Sequence, residues 1–142
     1  MIRWVAALLA LVFEQPDFDL TSVRVERLGL KGGSLTLLID VNNPNSYDLR
    51  TGQIHVVIDF EGTRFGEALL GGSTRFGSQS VTPIELPLSF GWAGVGAGAR
   101  ALLQRGAIGY TLATRLTVDT PLGDRSIEMT TRGNVPLRRL IP

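Results

Sequence analysis

The chain has one histidine, His55, and any Ser-His-Asp or Cys-His nucleophilic scheme would have to use it. It stands in an alternating stretch: Ile54, Val56, Ile58 and Phe60 are apolar, and His55, Asp59 and Glu61 lie between and after them. That period of two places His55 on the wet face of a strand. No Gly-x-Ser-x-Gly elbow accompanies it. Cysteine is absent, which excludes disulfides, thiol nucleophiles, thiolate metal sites and thiol-linked lipid attachment. Asp17 and Asp19 could together touch a cation, but calcium takes six or more oxygen ligands and no loop supplies them. Asp59 and Glu61 are more simply the solvated face of the His55 strand than a glycosidase pair. Arg138 and Arg139 could meet phosphate head groups, with a solvated tail as the simpler reading.

The strongest pattern for cofactor chemistry is Gly94-Val95-Gly96-Ala97-Gly98-Ala99. It follows a strand, opens a helix, and has Asp119 about 20 residues on, as a dinucleotide fingerprint requires. The strand before it argues against that reading. It alternates in polarity and carries Pro83 and Pro87, whereas the central strand of a parallel sheet is apolar on both faces and free of proline. The glycines are instead expected to let a helix lie close to a sheet. No cofactor, metal or catalytic residue is therefore assigned.

These residues must be carried by a single domain, since 142 residues suit one core and not two. With 44% hydrophobic and 19% charged residues the chain is globular, not disordered. A net charge of +1 gives no drive toward nucleic acid. The basic residues are all arginine except Lys31. Residues 1–16 form an apolar segment: Arg3 precedes an unbroken apolar run, 4–13, the size of a signal-peptide core and too short to span a bilayer. Glu14, Gln15 and Pro16 then stand where small cleavage-site residues belong. The segment reads as signal-like or membrane-associating, which places the protein in the cell envelope, periplasm or membrane-associated. A retained segment docked on the domain would place it in the cytoplasm.

From residue 17 to 142 the dominant period is two. Val23, Val25, Leu28 and Leu30 suggest a first strand with a register change near Gly29. Strands follow at 35–42 and 54–60. Glu61-Gly62 is a two-residue hairpin turn. A fourth strand has Phe65 and Leu69 on one face, and Gly71-Gly72-Ser73 reads as a loop. Thr82, Ile84, Leu86, Leu88 and Phe90 line one face of a fifth strand, whose prolines make it an edge. Trp92, Val95, Ala99, Leu102 and Leu103 predict one helix over 92–104. Ile108, Tyr110, Leu112, Leu116 and Val118 form a sixth strand. After a turn at Pro121-Leu122-Gly123, Ile127 and Met129 begin a seventh, resuming at Val135 and Leu137 past a bulge at Gly133. The expected fold is mainly β: an antiparallel β-sandwich or partly open barrel of about seven strands with one short helix.

Between the second and third strands lies the sequence Ile39-Asp40-Val41-Asn42-Asn43-Pro44-Asn45. Pro44 removes a backbone donor and holds Asn43 extended, so the strand must end there. Asn42, Asn43 and Asn45 can satisfy local backbone groups. The expected role is a structural turn, with a recognition loop as the alternative. This motif, followed by His55-Val56-Val57-Ile58-Asp59-Phe60-Glu61-Gly62, resembles the water-stress and hypersensitive-response domain of the type-2 late embryogenesis abundant proteins, over roughly residues 18–137. The resemblance implies a fibronectin type III-like sandwich without enzymatic activity. It also implies stress protection, in drying or cold, of client proteins or membrane lipids through weak, non-specific contacts, with neither nucleic acid nor a small-molecule substrate as partner. Bacterial relatives are often anchored through a lipoprotein cysteine, which this chain lacks. A cell-envelope binding module, exported or tethered through residues 1–16, is the competing functional reading.

Overall fold

The computed structural model describes residues 13–96 and 98–139. The apolar run at 4–13 therefore lies almost wholly outside the described residues, which begin at Phe13. Eight strands run in the order β1 (Asp17–Leu28), β2 (Gly32–Asn43), β3 (Leu49–Phe60), β4 (Thr63–Leu70), β5 (Thr74–Phe76), β6 (Ser80–Gly91), β7 (Ala107–Thr120) and β8 (Gly123–Arg139). Two single helical turns, α1 (Trp92–Val95) and α2 (Ala99–Leu102), join β6 to β7.

Neighbouring strands follow the path β4-β3-β7-β8-β1-β2-β6, with β5 paired to β3. One layer is β6-β2-β1 and the other β4-β3-β7-β8. Strand β8 belongs to both, because its first part pairs antiparallel with β7 and its last residues pair parallel with β1, Val23 opposite Leu137. A nearly closed sandwich results, and one pairing is parallel where an all-antiparallel pattern was expected. The two ends of the path, β4 and β6, are not hydrogen-bonded to each other. A relay of edge-on aromatic rings bridges them instead: Phe60–Phe65 at 5.0 Å, Phe65–Phe90 at 5.3 Å and Phe90–Trp92 at 5.2 Å. Such pairs add roughly 0.5–1.5 kcal/mol each beyond their burial. Strand β6 is an edge, as its prolines require.

The alternating residues fill one core. Leu35, Leu37, Ile39 and Val41 of β2 are fully buried, as are Ile54, Val56, Ile58 and Phe60 of β3. Even-numbered residues Ile108 to Val118 of β7 meet Ile127 and Val135 of β8. Bulges let residues of both parities face inward. In β1, Phe18 and Leu20 are buried before a register shift at Thr21, and Val23 and Val25 after it.

The structure corrects six further expectations. Leu30 is not in a strand; it tips the β1–β2 turn and is 96% exposed. Leu69 is 56% exposed, because a bulge at Phe65, beside Gly66 (φ +149°), reverses the parity of β4 and turns Ala68 inward instead. Strand β5 is additional; its three residues are too few to show a period, yet Phe76 is fully buried. No bulge occurs at Gly133, since β7 and β8 stay in register from Ala107/Pro136 to Thr120/Gly123; the Tyr110 ring lies over Gly133 and takes the place of its side chain. The single helix over 92–104 is two turns. Gly96 and Gly98 have φ of +86° and +89°, left-handed values that interrupt a helix. A Cβ at Gly94, Gly96 or Gly98 would meet nothing within 4 Å, so close packing on the sheet is not their role. Val95, Ala99 and Leu103 are nonetheless buried, as the apolar stripe predicted.

Candidate functional site

The Asn42–Asn45 segment closes the end of the sandwich where β2 leaves the sheet. Asn43 is fully buried and Asn45 is 3% exposed. Asn43 donates from Nδ2 to the carbonyls of Tyr47 (3.0 Å), Phe76 (3.1 Å) and Gly77 (3.1 Å). Its Oδ1 accepts from the Asn45 backbone N–H (3.0 Å) and from Asn45 Nδ2 (2.9 Å). Asn45 in turn makes a reciprocal pair with Glu14: Glu14 N–H donates to Oδ1 and Asn45 Nδ2 donates to the Glu14 carbonyl, both at 2.7 Å. The Asn45 carbonyl accepts from Gln79 N–H. Two carboxamides thus join the chain entering β1, the end of β2 and the β5–β6 connection. Asn42 is exposed and Pro44 half-buried, so a contact with a partner at this turn would use those two positions. Beside them, Asp48 accepts from Ser78 N–H and pairs with Arg75, which together hold its carboxyl below the usual range. Burial raises the pKa of Tyr47.

The other candidates do not converge. His55 lies on the outer face of β3 as expected, but its Nε2 is 2.9 Å from Glu67 Oε2, a pairing across the β3–β4 hairpin. That contact lowers the Glu67 pKa. Asp59 pairs with Arg64, and Glu61 accepts from Gly109 N–H at 2.8 Å. Asp17 and Asp19 are exposed, and the described residues hold no group of three or more His, Cys, Asp or Glu arranged for a metal ion. The glycine-rich turns and Asp119 sit at opposite ends of β7, whose 14 residues span about 45 Å, so they cannot share a dinucleotide. Arg138 is exposed, while the Arg139 side chain lies outside what the structure describes.

One feature of the surface was not visible in the sequence. Register aligns Leu69, His55, Arg115 and Glu128 in a row across β4, β3, β7 and β8. They line an open trough of about 660 Å³ that runs toward Arg50, Asp119 and Asp124. It carries both signs of charge, Arg50 and Arg115 beside Asp119, Asp124 and Glu128, and neighbouring strands lie ~4.8 Å apart. Such a surface suits weak polar contacts. Among the described residues His55 pairs with a carboxylate, not with a nucleophile.

The family model for late embryogenesis abundant protein, LEA_2, matches residues 38–133, from within β2 to within β8. The chain belongs to the LEA_2 family. A solution structure of an Arabidopsis thaliana protein has a TM-score of 0.68 at 19% identity, covering 92% of this chain and 87% of that one. A solution structure of a late embryogenesis abundant (LEA) protein has a TM-score of 0.60 at 23% identity, with 98% and 80% covered. A crystal structure from Archaeoglobus fulgidus has a TM-score of 0.50 at 10% identity, with 88% and 97% covered. At these identities the structural likeness shows the LEA_2 fold alone. No curated protein matches the chain by sequence. The matched segment contains the Asn42–Asn45 turn, and the family is generally non-enzymatic.

Proposed function

We propose that this LEA_2 chain is a non-enzymatic stress-protective protein of the water-stress and hypersensitive-response class. It shields client proteins or membranes by weak surface contacts when water activity falls. The observation that carries the reading is the family match laid over a nearly closed, continuous core whose end is tied by buried Asn43 and Asn45. A domain built this way keeps its own packing as solvent is withdrawn. Its trough of mixed charge offers clients contacts that are individually weak, since exposed ion pairs contribute at most about 1 kcal/mol each. Transient cover of that kind slows association of partly unfolded chains without holding them.

The test is to dry a marker enzyme with this protein or with albumin at equal mass, then rehydrate and assay it. Recovery well above the albumin control is expected. Recovery no better than albumin removes the shielding role. The apolar run at 4–13 supports the second reading, a cell-envelope binding module. Fractionation and N-terminal analysis of the mature protein test it: wholly soluble cytosolic protein that keeps residues 1–13 counts against an envelope location.

A further inference from the structure

The net charge of +1 conceals a separation of charge along the sandwich axis. At the end away from the Asn42–Asn45 turn, the β1–β2 turn projects Leu30 into solvent, 96% exposed. Arg27, Lys31 and Arg100 are exposed at the same end, and among the described residues none of the three forms a salt bridge. The nearby carboxylates are already committed: Glu26 to Arg24, and Glu61 to Arg105 and the Gly109 N–H. The opposite end carries Asp17, Asp119 and Asp124 exposed, with Asp19 and Asp40 directly paired in register between β1 and β2. Arg50 and Arg125 stand among these aspartates and offset only part of their charge. The two ends are about 40 Å apart along a 12-residue strand.

The cationic end is also braced. Trp92 Nε1 donates to the Gly29 carbonyl at 2.8 Å, and Trp92 N–H donates to the Lys31 carbonyl at 3.0 Å. The Arg100 guanidinium stacks 4.5 Å above the Trp92 ring and reaches the same Gly29 carbonyl. Gly29 N–H closes the turn on the Gly32 carbonyl at 2.7 Å. Leu30 is therefore held outward by a fixed turn, with basic side chains around it.

We propose that this end docks on an anionic lipid bilayer, with Leu30 entering the interface and Arg27, Lys31 and Arg100 against phosphate head groups. The proposal rests on the shielding reading and names one surface and one partner for it. An apolar tip ringed by uncompensated cations matches the negative surface of a membrane, where each basic residue strengthens binding about five-fold. The acidic end, repelled by the same surface, fixes the orientation.

The full chain would be co-sedimented with vesicles of phosphatidylcholine and phosphatidylglycerol (7:3) and with pure phosphatidylcholine, at low and high salt. Lys31→Glu and Arg27→Glu should each weaken binding to the anionic vesicles by at least ten-fold, and Leu30→Asp should do so as well. All three positions are exposed, so folding should be retained, as circular dichroism will show. Arg50→Glu makes the same charge change at the other end and should leave binding within about two-fold. High salt should erase the preference. Equal binding to neutral vesicles would mean that some other segment carries it, and an equal effect of Arg50→Glu would mean that only net charge matters; either result overturns the proposal. So does the absence of binding, or a tip variant that loses client protection while keeping vesicle binding, which would make this end a protein-docking surface. Failed vesicle binding with the dried enzyme still protected removes this proposal alone; failure of both removes the parent reading.

Discussion

Replacing Asn43 with alanine should be among the most damaging single changes available at either end of the sandwich. The side chain is fully buried and takes part in five hydrogen bonds. Alanine leaves the Asn45 backbone N–H without its acceptor and three carbonyls without the carboxamide donor. A buried polar group left unpaired costs about 1–3 kcal/mol. Water entering the space will satisfy part of the set, so a net loss of about 3–5 kcal/mol is expected, a large share of the ~5–15 kcal/mol that holds a domain together. At this chain length that corresponds to a fall in Tm of roughly 10–15 °C. Asn43→Asp should be at least as harmful, since it keeps the shape but turns an acceptor toward the Tyr47, Phe76 and Gly77 carbonyls. Asn42→Ala, one residue earlier but exposed, should change stability by less than about 0.5 kcal/mol. Urea titration followed by fluorescence and circular dichroism gives these differences, with m unchanged if both states keep their extent. Equal, small losses for Asn42→Ala and Asn43→Ala would refute the claim that this motif acts through buried hydrogen bonds. The recognition alternative predicts a different pattern, in which Asn42→Ala leaves stability alone and reduces client protection.

Three further outcomes follow from the same geometry. A Cβ at Gly32 would lie 2.0 Å from the Phe90 carbonyl oxygen, so Gly32→Ala should cost several kcal/mol, whereas Gly94→Ala meets nothing within 4 Å and should be nearly neutral; thermal melts of the two variants check this. Glu26, Asp48 and Glu67 all have folded pKa values held below their ordinary ones, by Arg24 and Thr36, by Ser78 N–H and Arg75, and by His55 respectively. The unfolded chain then binds more protons, so their contribution is complete above the ordinary values of 4.5 and 3.8 and is lost as pH falls through the lower folded values. Urea midpoints should be flat between pH 7 and about 5 and drop below about 4, with a shallower drop in Asp48→Asn. Restoring backbone donors to the edge strand β6 with Pro83→Val and Pro87→Val should promote self-association, detectable by sedimentation; a strictly monomeric double variant would show that the prolines do not guard that edge.

Much of the fold was legible because an alternating strand states its own inner face. In β2, β6 and β7, and in β3 from Ile54 onward, the buried apolar residues are those that the period of two selects; Leu49, of the other parity, is turned inward by the register shift between Thr51 and Ile54. The Glu61-Gly62 turn was legible for a similar reason: φ values of +49° and +82° are what a tight hairpin demands, and glycine signals them. Errors fell where a local pattern was overruled. The Leu69 parity failed because one extra residue at the β4 bulge moves every later side chain to the other face. The helix failed because apolar spacing survives a break in the backbone that two left-handed glycines introduce.

The candidate site divides in the same way. Sequence alone determined that a strand ends at Asn43-Pro44, that His55 faces outward and that no thiol chemistry is available, since each depends on residue type or on period. Only the tertiary structure decided that Asn43 and Asn45 are buried, because their partners, Glu14, Phe76, Gly77 and Gln79, lie about 30 residues away on other segments. It alone separated the charges as well. Arg27, Lys31 and Arg100 are scattered along the chain, and strand direction gathers them at one end while leaving the aspartates at the other. Composition adds charges regardless of position; an electric field depends on where the fold puts them.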